Sequence, residues 1–243
     1  MSNIFDFKNY NSWVYDFKGL FEVLEYDDVL KNNISLDDFI DESSTSIKKL
    51  IKNKYDYIVY YHGSATDDIN KYLQNGIVTS SVQDRIKYAR QLFPIDYYPE
   101  LTDYVFNEKK NIYLKDEGYI STNEGKIYFN IDNSFFEEPS QQHYLCYGGE
   151  TLGTFVGLLG ERYKSELKEK LTPVIFKCII PIKYLENDFD DIIKDILNKF
   201  LEIIEFPKSQ FSHGSSTPYI CTNIRPEWII GCEFPKYENI NCI

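Results

Sequence analysis

Residues 57–61 form a run of aromatic and β-branched side chains that stops at Gly63. Such a run, bounded by a glycine, is typical of a buried strand. A short helix is predicted after it, with Thr66 as its N-cap and Asn75-Gly76 as its end. The inner face of this helix is predicted to carry Ile69, Tyr72 and Leu73. A buried strand that turns directly into a helix indicates a fold in which helices cover a sheet.

Strands and amphipathic helices alternate along the rest of the chain. The further predicted strands lie over 126–131, 174–180, 219–224 and 228–234, and the predicted helices over 12–31, 82–92, 150–170 and 191–206. No G-x-G-x-x-G turn follows a strand, which disfavours a Rossmann dinucleotide domain. The pattern therefore predicts a globular fold of interleaved helices and strands.

The first fifty residues differ from the remainder. Trp13, Phe17, Leu20 and Leu24 recur at helical spacing, and a polar stretch over 37–46 precedes a short helix or linker at 47–51. We therefore expect an N-terminal helical extension over residues 1–52 and one domain over residues 53–243.

Charge restricts the partners of the chain. The formal net charge is −12 over 243 residues, and tight nonspecific binding to nucleic acid or to an anionic membrane surface needs a basic face instead. With 43% hydrophobic residues, the chain has enough apolar side chains for a folded core. Neither bulk nucleic-acid binding nor membrane association is expected.

The cysteines and the chain start indicate a compartment. Five cysteines are an odd number without short regular spacing, which predicts neither a disulfide framework nor a zinc site. The start resembles no signal peptide, and no stretch approaches the length of a membrane span. We expect a cytoplasmic protein with no bound metal.

The most informative chemical feature is His62-Gly63-Ser64, at the predicted end of the first strong strand. A strand-end histidine followed by glycine and a small hydroxyl residue is placed to face a cleft, where the bare glycine backbone admits a ligand. Taken alone, such a histidine is also common as a turn residue that hydrogen-bonds the backbone.

Three motifs together carry a resemblance to a known family. Tyr60-Tyr61-His62-Gly63-Ser64, then Asn75-Gly76-Ile77, then Ile127-Tyr128-Phe129 resemble the histidine–tyrosine type of ADP-ribosyltransferase. This type includes the poly-ADP-ribose polymerases, the diphtheria-like toxins and the rifamycin-modifying enzymes. The resemblance covers roughly residues 57–235. It implies an α+β fold, with a split mixed or antiparallel sheet flanked by helices, and NAD as co-substrate.

The resemblance also implies roles for individual residues. His62 would hydrogen-bond a ribose hydroxyl of NAD, Gly63 would offer backbone groups to the nicotinamide carboxamide, and Ser64 would adjoin them. Tyr128 would stack on the nicotinamide ring, although an aromatic residue on a strand is also a common core residue. Arg85, Arg90, Arg162 and Arg225 are candidates to neutralise the diphosphate, or are surface charges.

Loss of nicotinamide passes through an oxocarbenium-like state, which a nearby carboxylate stabilises. In the family this acid comes from a late strand, but residues 211–224 contain no Asp or Glu. Glu150 opens the helix after the Tyr128 strand, and we take it as the candidate acid, while an ordinary helix N-terminal charge is the alternative. The remaining candidate acids are Asp188, Asp190, Asp191, Glu227 and Glu233.

These residues predict an ADP-ribosyltransferase that acts on a protein, nucleic-acid or small-molecule acceptor. The resemblance implies a role as a toxin or defence effector, in host modification or in antibiotic inactivation, and the sequence does not choose among them. An antitoxin or immunity protein is the partner implied by the first. The alternatives are a catalytically inactive module that binds NAD or ADP-ribose, or a partner-binding protein. His143 and Cys146 also share i, i+3 spacing, but two ligands fall short of a zinc site.

Overall fold

A computed structural model of the chain describes residues 3–23, 36–115, 124–138, 141–185, 189–190, 192–193, 195–196 and 218–236. The strands are β1 (Ile4–Phe5), β2 (Tyr57–Thr66), β3 (Ile127–Tyr128), β4 (Thr172–Pro181), β5 (Tyr219–Ile220) and β6 (Ile229–Glu233). The helices are α1 (Tyr10–Val23), α2 (Leu36–Lys54), α3 (Ile69–Asn75), α4 (Val82–Leu92), α5 (Asp103–Leu114), α6 (His143–Tyr147), α7 (Glu150–Leu159) and α8 (Glu161–Lys170). Short 3-10 helices span Asn133–Glu137, Ile182–Tyr184 and Pro226–Trp228.

The strands form two sheets, and the larger sheet is mixed. One sheet has the order β1-β2-β4-β6, and β3 pairs with β5 in a second sheet. Strand β1 is parallel to β2, with Ile4 opposite Tyr57, whereas β4 is antiparallel to β6, with Phe176 opposite Cys232. Helices accompany these sheets along the chain, which confirms the predicted α+β class.

The chain divides into two compact units. The first takes residues 1–60, 128–132 and 179–219, and the second takes residues 61–127, 133–178 and 220–243. The first unit therefore joins the predicted N-terminal extension to segments from later in the chain. Among the described residues, no helix is both long and apolar enough to cross a bilayer.

An aromatic cluster holds the first unit together. The rings of Trp13 and Phe17 lie 5.3 Å apart in a T-shaped pair, and the Phe5 ring lies 5.7 Å from Trp13 and 5.2 Å from Tyr55. Trp13, Phe17 and Phe5 are fully buried, as the helical spacing of the first two predicts. Such offset and edge-on contacts add stability beyond the area that they bury.

The polar stretch over 37–46 belongs to a helix. It is part of α2, which runs from Leu36 to Lys54, so residues 47–51 are helical, as one of the two predicted alternatives has it, but the helix is much longer than predicted. The stretch contains no glycine or proline, and a helix anchored by buried Ile47 and Ile51 extends through polar residues that do not break it. Helix α1 ends at Val23, and the rest of the predicted 12–31 helix lies outside the described residues.

Helix α7 lies at the centre of the second unit. The Phe155 ring of α7 meets Phe106 and Tyr113 of α5 edge-on, at 5.3 Å and 5.9 Å between centroids. Leu152 and Val156 are also buried. These apolar positions recur at three and four residues, which is the pattern that predicted the helix.

The predicted helix over 150–170 is two helices, so its continuity is wrong. It breaks at Gly160, whose φ of 139° lies far from helical values. The apolar spacing continues past the break, since Tyr163 and Leu167 are buried in α8. Periodicity alone therefore hides the break, and only the glycine marks it.

The first strong strand is longer than predicted. Strand β2 continues through His62 and Gly63 to Thr66, so His62 lies within the strand instead of at its end. The N-cap of α3 is Asp68, whose carboxylate accepts from the amide of Asn70 at 3.0 Å, and not Thr66. None of the residues of α3 is buried, and Leu73 is 45% exposed, which contradicts the predicted inner face.

The other elements follow the prediction with changed limits. Helix α4 matches the predicted 82–92 helix, and its N-cap Ser81 forms a capping box with Asp84. Strand β4 covers the predicted 174–180, but β3 is only two residues long because the chain turns at Asn130, whose side chain accepts from the amide of Asp132 at 2.9 Å. In the predicted 191–206 helix, residues 192–193 and 195–196 are helical, and 197–206 lies outside the described residues.

We predict that Gly76→Ala lowers the free energy of unfolding by at least about 2 kcal/mol. Gly76 has a φ of 79°, and an added Cβ would overlap the carbonyl oxygen of Ile224. Gly125→Ala is the matched control, because Gly125 has a φ of 72° but nothing within 4 Å of the added Cβ. Denaturant unfolding should show a cost of only about 1 kcal/mol there. Equal costs at the two positions would show that the Ile224 carbonyl is not the cause.

We also predict that Tyr98→Phe destabilises the chain by about 1 kcal/mol at neutral pH and by less at about pH 3. The Tyr98 hydroxyl donates to Glu166 Oε2 at 2.6 Å, and this hydrogen bond lowers the pKa of Glu166 below its ordinary value of 4.5. Because the pKa of Glu166 is lower in the folded state, the hydrogen bond stabilises the fold fully above pH 4.5. This stabilisation is lost as the pH falls through the lowered pKa. Tyr97→Phe, at a ring 82% exposed, should change neither measurement.

Candidate functional site

His62 and Ser64 lie on one face of β2, because side chains two residues apart along a strand point the same way. The His62 ring is half-buried and lies roughly parallel to the Phe176 ring of β4, with centroids 6.4 Å apart. The Tyr72 ring of α3 lies 4.8 Å from the same Phe176 ring, and its hydroxyl is 3.2 Å from Ser64 Oγ. We call these four side chains the His62 cluster.

Gly63 points to the opposite face of β2. A Cβ at this position would lie within 3.0 Å of three atoms of the Phe136 ring. The absence of a side chain at Gly63 is therefore explained by packing, since Phe136, itself buried, occupies that space. The predicted contact of the Gly63 backbone with a carboxamide stays a prediction.

The turn before Glu150 contacts the end of β2. Gly148 has a φ of 67°, and a Cβ there would lie 2.6 Å from the carbonyl oxygen of Ala65, which follows Ser64. Gly149 has a φ of 117° and is the N-cap of α7, so the two glycines allow the chain to reverse beside the strand. Glu150 is the first residue of α7 and is exposed.

Arg85 lies at this same turn. Its Nε donates to Ser80 Oγ at 2.7 Å, and its Nη1 donates to the carbonyl oxygen of Gly148 at 3.4 Å. A guanidinium is always charged and has five N–H donors. The second unit thus brings a cation and the Glu150 turn to the strand that carries His62, although the three segments are far apart in sequence.

Tyr128 belongs to the first compact unit, whereas His62, Gly63, Ser64 and Glu150 belong to the second. Its ring is half-buried and lies 5.6 Å from the ring of Tyr219 on β5. The next residue, Phe129, is a core residue, with its amide bonded to the Pro218 carbonyl at 2.8 Å. Tyr128 is thus the more exposed of these two aromatic residues.

The other candidate acids are distributed over the chain. Asp190 forms an ion pair with Lys48 at 3.2 Å in the first unit, and Glu227 lies 3.7 Å from Arg225 in the second. Glu233 Oε2 accepts from Asn133 Nδ2 at 3.1 Å. Asp188 and Asp191 lie outside the described residues.

The other arginines make structural contacts. Arg90 donates to the Leu101 carbonyl at 2.8 Å and to Asp103 at 2.6 Å, and its guanidinium lies over the Phe106 ring. Arg162 bonds Glu166 and Glu100, at 2.8 Å and 3.3 Å. These contacts hold α4 and α8 against their neighbours, unlike the position of Arg85 at the Glu150 turn.

Cys146 is disulfide-bonded, a bond that the odd cysteine count did not predict. Its sulfur is therefore neither a thiolate nucleophile nor a metal ligand with His143. Burial raises the pKa of the Cys178 thiol to about 12, so that thiol is unreactive as well. The described part of the chain contains no group of three or more metal-ligating side chains.

The sequence did not indicate that Phe176, Tyr72 and Phe136 lie around the His62 strand. Phe176 lies in the predicted 174–180 strand, where alternation assigns it to the face opposite Ile175, but nothing in the sequence indicates that this face meets His62. Tyr72 was predicted as an inward residue of α3, and Phe136 was not singled out. All three contacts join elements separated by a turn or by a long stretch of chain.

No protein-family model, curated protein or solved structure matches the chain.

We predict that Gly63→Ala destabilises the chain by about 1–3 kcal/mol, because the added methyl group displaces the Phe136 ring. Phe136→Leu alone should cost a similar amount by leaving space beside Gly63. The variant with both substitutions should lose less stability than the two single costs added together, since the methyl group added at position 63 then fills the space that the smaller leucine leaves. Denaturant unfolding of the four proteins measures this coupling, and strictly additive costs would mean that the two residues do not compete for one space.

Proposed function

We propose that the protein is an NAD-dependent ADP-ribosyltransferase, with an ADP-ribosyltransferase-type split sheet and a cytoplasmic location as parts of the same proposal. The observation that carries it is the contact of Gly148, two residues before Glu150, with Ala65, three residues after His62. His62 and Glu150, which were selected from separate motifs, thus lie on segments that are in contact. An active site of the proposed kind needs a histidine, a carboxylate and an arginine side by side, and the contact between these segments supports that arrangement.

The His62 cluster has the chemistry to hold a ribose. An imidazole nitrogen such as that of half-buried His62 bonds sugar hydroxyls, and buried Ser64 orients the Tyr72 hydroxyl beside it at 3.2 Å. The half-buried Tyr72 ring adds aromatic surface against which a sugar or base can pack, and fully buried Phe176 supports the His62 and Tyr72 rings from inside the fold. Arg85, whose side chain reaches the Gly148 carbonyl, is suited to the diphosphate, because a guanidinium binds phosphate oxygens in a bidentate manner.

The reaction breaks the bond between the ribose C1′ and the nicotinamide nitrogen. The bonding electron pair leaves with nicotinamide, which becomes neutral, and the ribose becomes oxocarbenium-like. The Glu150 carboxylate stabilises this positive charge and accepts the proton of the acceptor group as that group bonds to C1′. The acceptor is a nucleophilic group on a protein, a nucleic acid or a small molecule, and a toxin or defence role with an antitoxin or immunity protein belongs to the same proposal.

Tyr128 is proposed as the ring that stacks on nicotinamide. Its half-buried ring, beside buried Phe129, is compatible with a ligand contact. Tyr128 belongs to the first unit and His62 to the second. The proposed role of Tyr128 is therefore tested by its own substitution, independently of His62.

A binding module without catalysis is the second candidate. The exposure of Glu150 favours it, because an exposed carboxylate at a helix N-terminus is accounted for by the helix dipole alone. In that case NAD or ADP-ribose binds and no nicotinamide is released.

We predict that the purified chain releases nicotinamide from NAD and that Glu150→Gln reduces the rate by at least about 100-fold. Release is measured by chromatography, with binding measured by calorimetry. Glu161→Gln is the matched control, because Glu161 also opens a helix directly after a positive-φ glycine. Glu161→Gln should retain the full rate. Binding without release would replace the transferase by the binding module.

His62→Ala and Tyr128→Ala should each weaken NAD binding by roughly 10-fold or more while the unfolding transition stays cooperative. Tyr219→Ala removes the ring that neighbours Tyr128, so it separates loss of a ligand contact from loss of local packing. NAD affinity that is unchanged in His62→Ala would remove the His62 cluster from the site. No binding of NAD or ADP-ribose to the wild-type chain would leave only the partner-binding alternative.

A further inference from the structure

A cavity of 470 Å³ opens in the second unit, away from the His62 cluster. Its volume lies within the range of about 300–1,000 Å³ that small-molecule sites occupy. Apolar side chains of Phe136, Leu145 and Ile175 line it, and the 3-10 helix Asn133–Glu137 and the end of β6 supply the rest of the lining. We call this space the Glu233 pocket.

The Glu233 pocket lies on the opposite face of β2 and β4 from His62. Phe176 faces His62, and its neighbour Ile175, which lines the pocket, points the other way. Phe136 likewise lines the pocket and covers Gly63, whose side-chain direction is opposite to that of His62. The pocket is therefore a site distinct from the proposed NAD site.

The polar lining of the pocket is predominantly acidic. Glu137 and Glu233 contribute two carboxylates, against one ammonium from Lys236. Asn133 Nδ2 donates to Glu233 Oε2 at 3.1 Å, which fixes the orientation of that carboxylate. The chain as a whole carries a net charge of −12, so its field also attracts cations.

Aromatic surface accompanies the carboxylates. Phe234 lines the pocket next to Glu233 and is 54% exposed, and Phe136 lies at its apolar side. Pro235 ends β6 here, since a proline cannot continue the strand ladder. A flat cation between a phenyl face and a carboxylate gains both cation–π attraction and a charge-assisted hydrogen bond.

We propose that the Glu233 pocket binds a guanidinium group carried on a short apolar stem. A guanidinium is planar, stacks on phenyl rings and bonds a carboxylate through two parallel N–H groups. An ammonium is a compact point charge that lacks this flat, paired geometry. Lys236 supplies a partner for a carboxylate on the same ligand. The chemistry is shared by free guanidinium compounds and by arginine side chains of a polypeptide.

Calorimetry without NAD tests the proposal with agmatine, L-arginine, L-citrulline and an arginine blocked at both ends. Agmatine and arginine should bind with a dissociation constant of about 1 mM or lower, and citrulline, which is neutral, should not bind. Binding of the blocked arginine would assign the pocket to side chains of a polypeptide. If agmatine binds and the blocked arginine does not, the pocket is assigned to free guanidinium compounds. Both of these results support a guanidinium site.

Substitutions locate the binding. Glu233→Gln and Glu137→Gln should each raise the dissociation constant of agmatine by roughly 10-fold or more, and Phe234→Ala by roughly threefold. Glu138→Gln is the matched control, because Glu138 is exposed and adjoins Glu137 but does not line the pocket. Absence of agmatine binding, equal binding of citrulline, or an equal effect of Glu138→Gln would overturn the proposal. Since NAD is left out, its outcome does not depend on the proposed transferase activity.

Discussion

The alternation of side chains along β2 is the constraint on which both sites depend. Residues 58–61 and 63–66 of this strand are buried, and His62 is the half-buried exception among them. His62 and Ser64 face Phe176 and Tyr72, while Gly63 faces Phe136. A shift of one residue in strand register would exchange these faces and place the imidazole against Phe136. Pairing of β2 with its neighbours therefore fixes the chemistry of each face as well as the packing of the sheet.

Glycines permit the close approaches that assemble the second unit. Gly63 leaves space for the Phe136 ring, Gly76 lets the chain pass the Ile224 carbonyl, and Gly148 brings the Glu150 turn against Ala65. Gly76 and Gly148 also have positive φ values, which other residues rarely adopt. At Gly76 and Gly148 the close atom is a backbone carbonyl oxygen, so a side chain there would displace a whole segment, whereas at Gly63 it would displace the Phe136 ring.

The sequence predicted the elements better than their assembly. Periodicity identified buried Trp13, Phe17, Leu152 and Val156, because core packing repeats with the period of a helix. It could not show that Gly160 breaks the 150–170 helix, since the apolar spacing continues into α8. Nor could it show that Arg85 meets the Gly148 carbonyl, 63 positions away, because local patterns carry no information on which distant segments touch. The Glu233 pocket escaped prediction for the same reason.

Geometry also separates the candidate acids. The proposed catalytic carboxylate has to lie beside the strand that carries His62. Asp190 is paired with Lys48, and Glu227 lies beside Arg225. Glu233 is oriented by Asn133 toward the pocket on the far face of the sheet from His62. Glu150 instead follows a glycine turn that touches the His62 strand itself, and this contact, more than its position in the sequence, distinguishes it among the described acids.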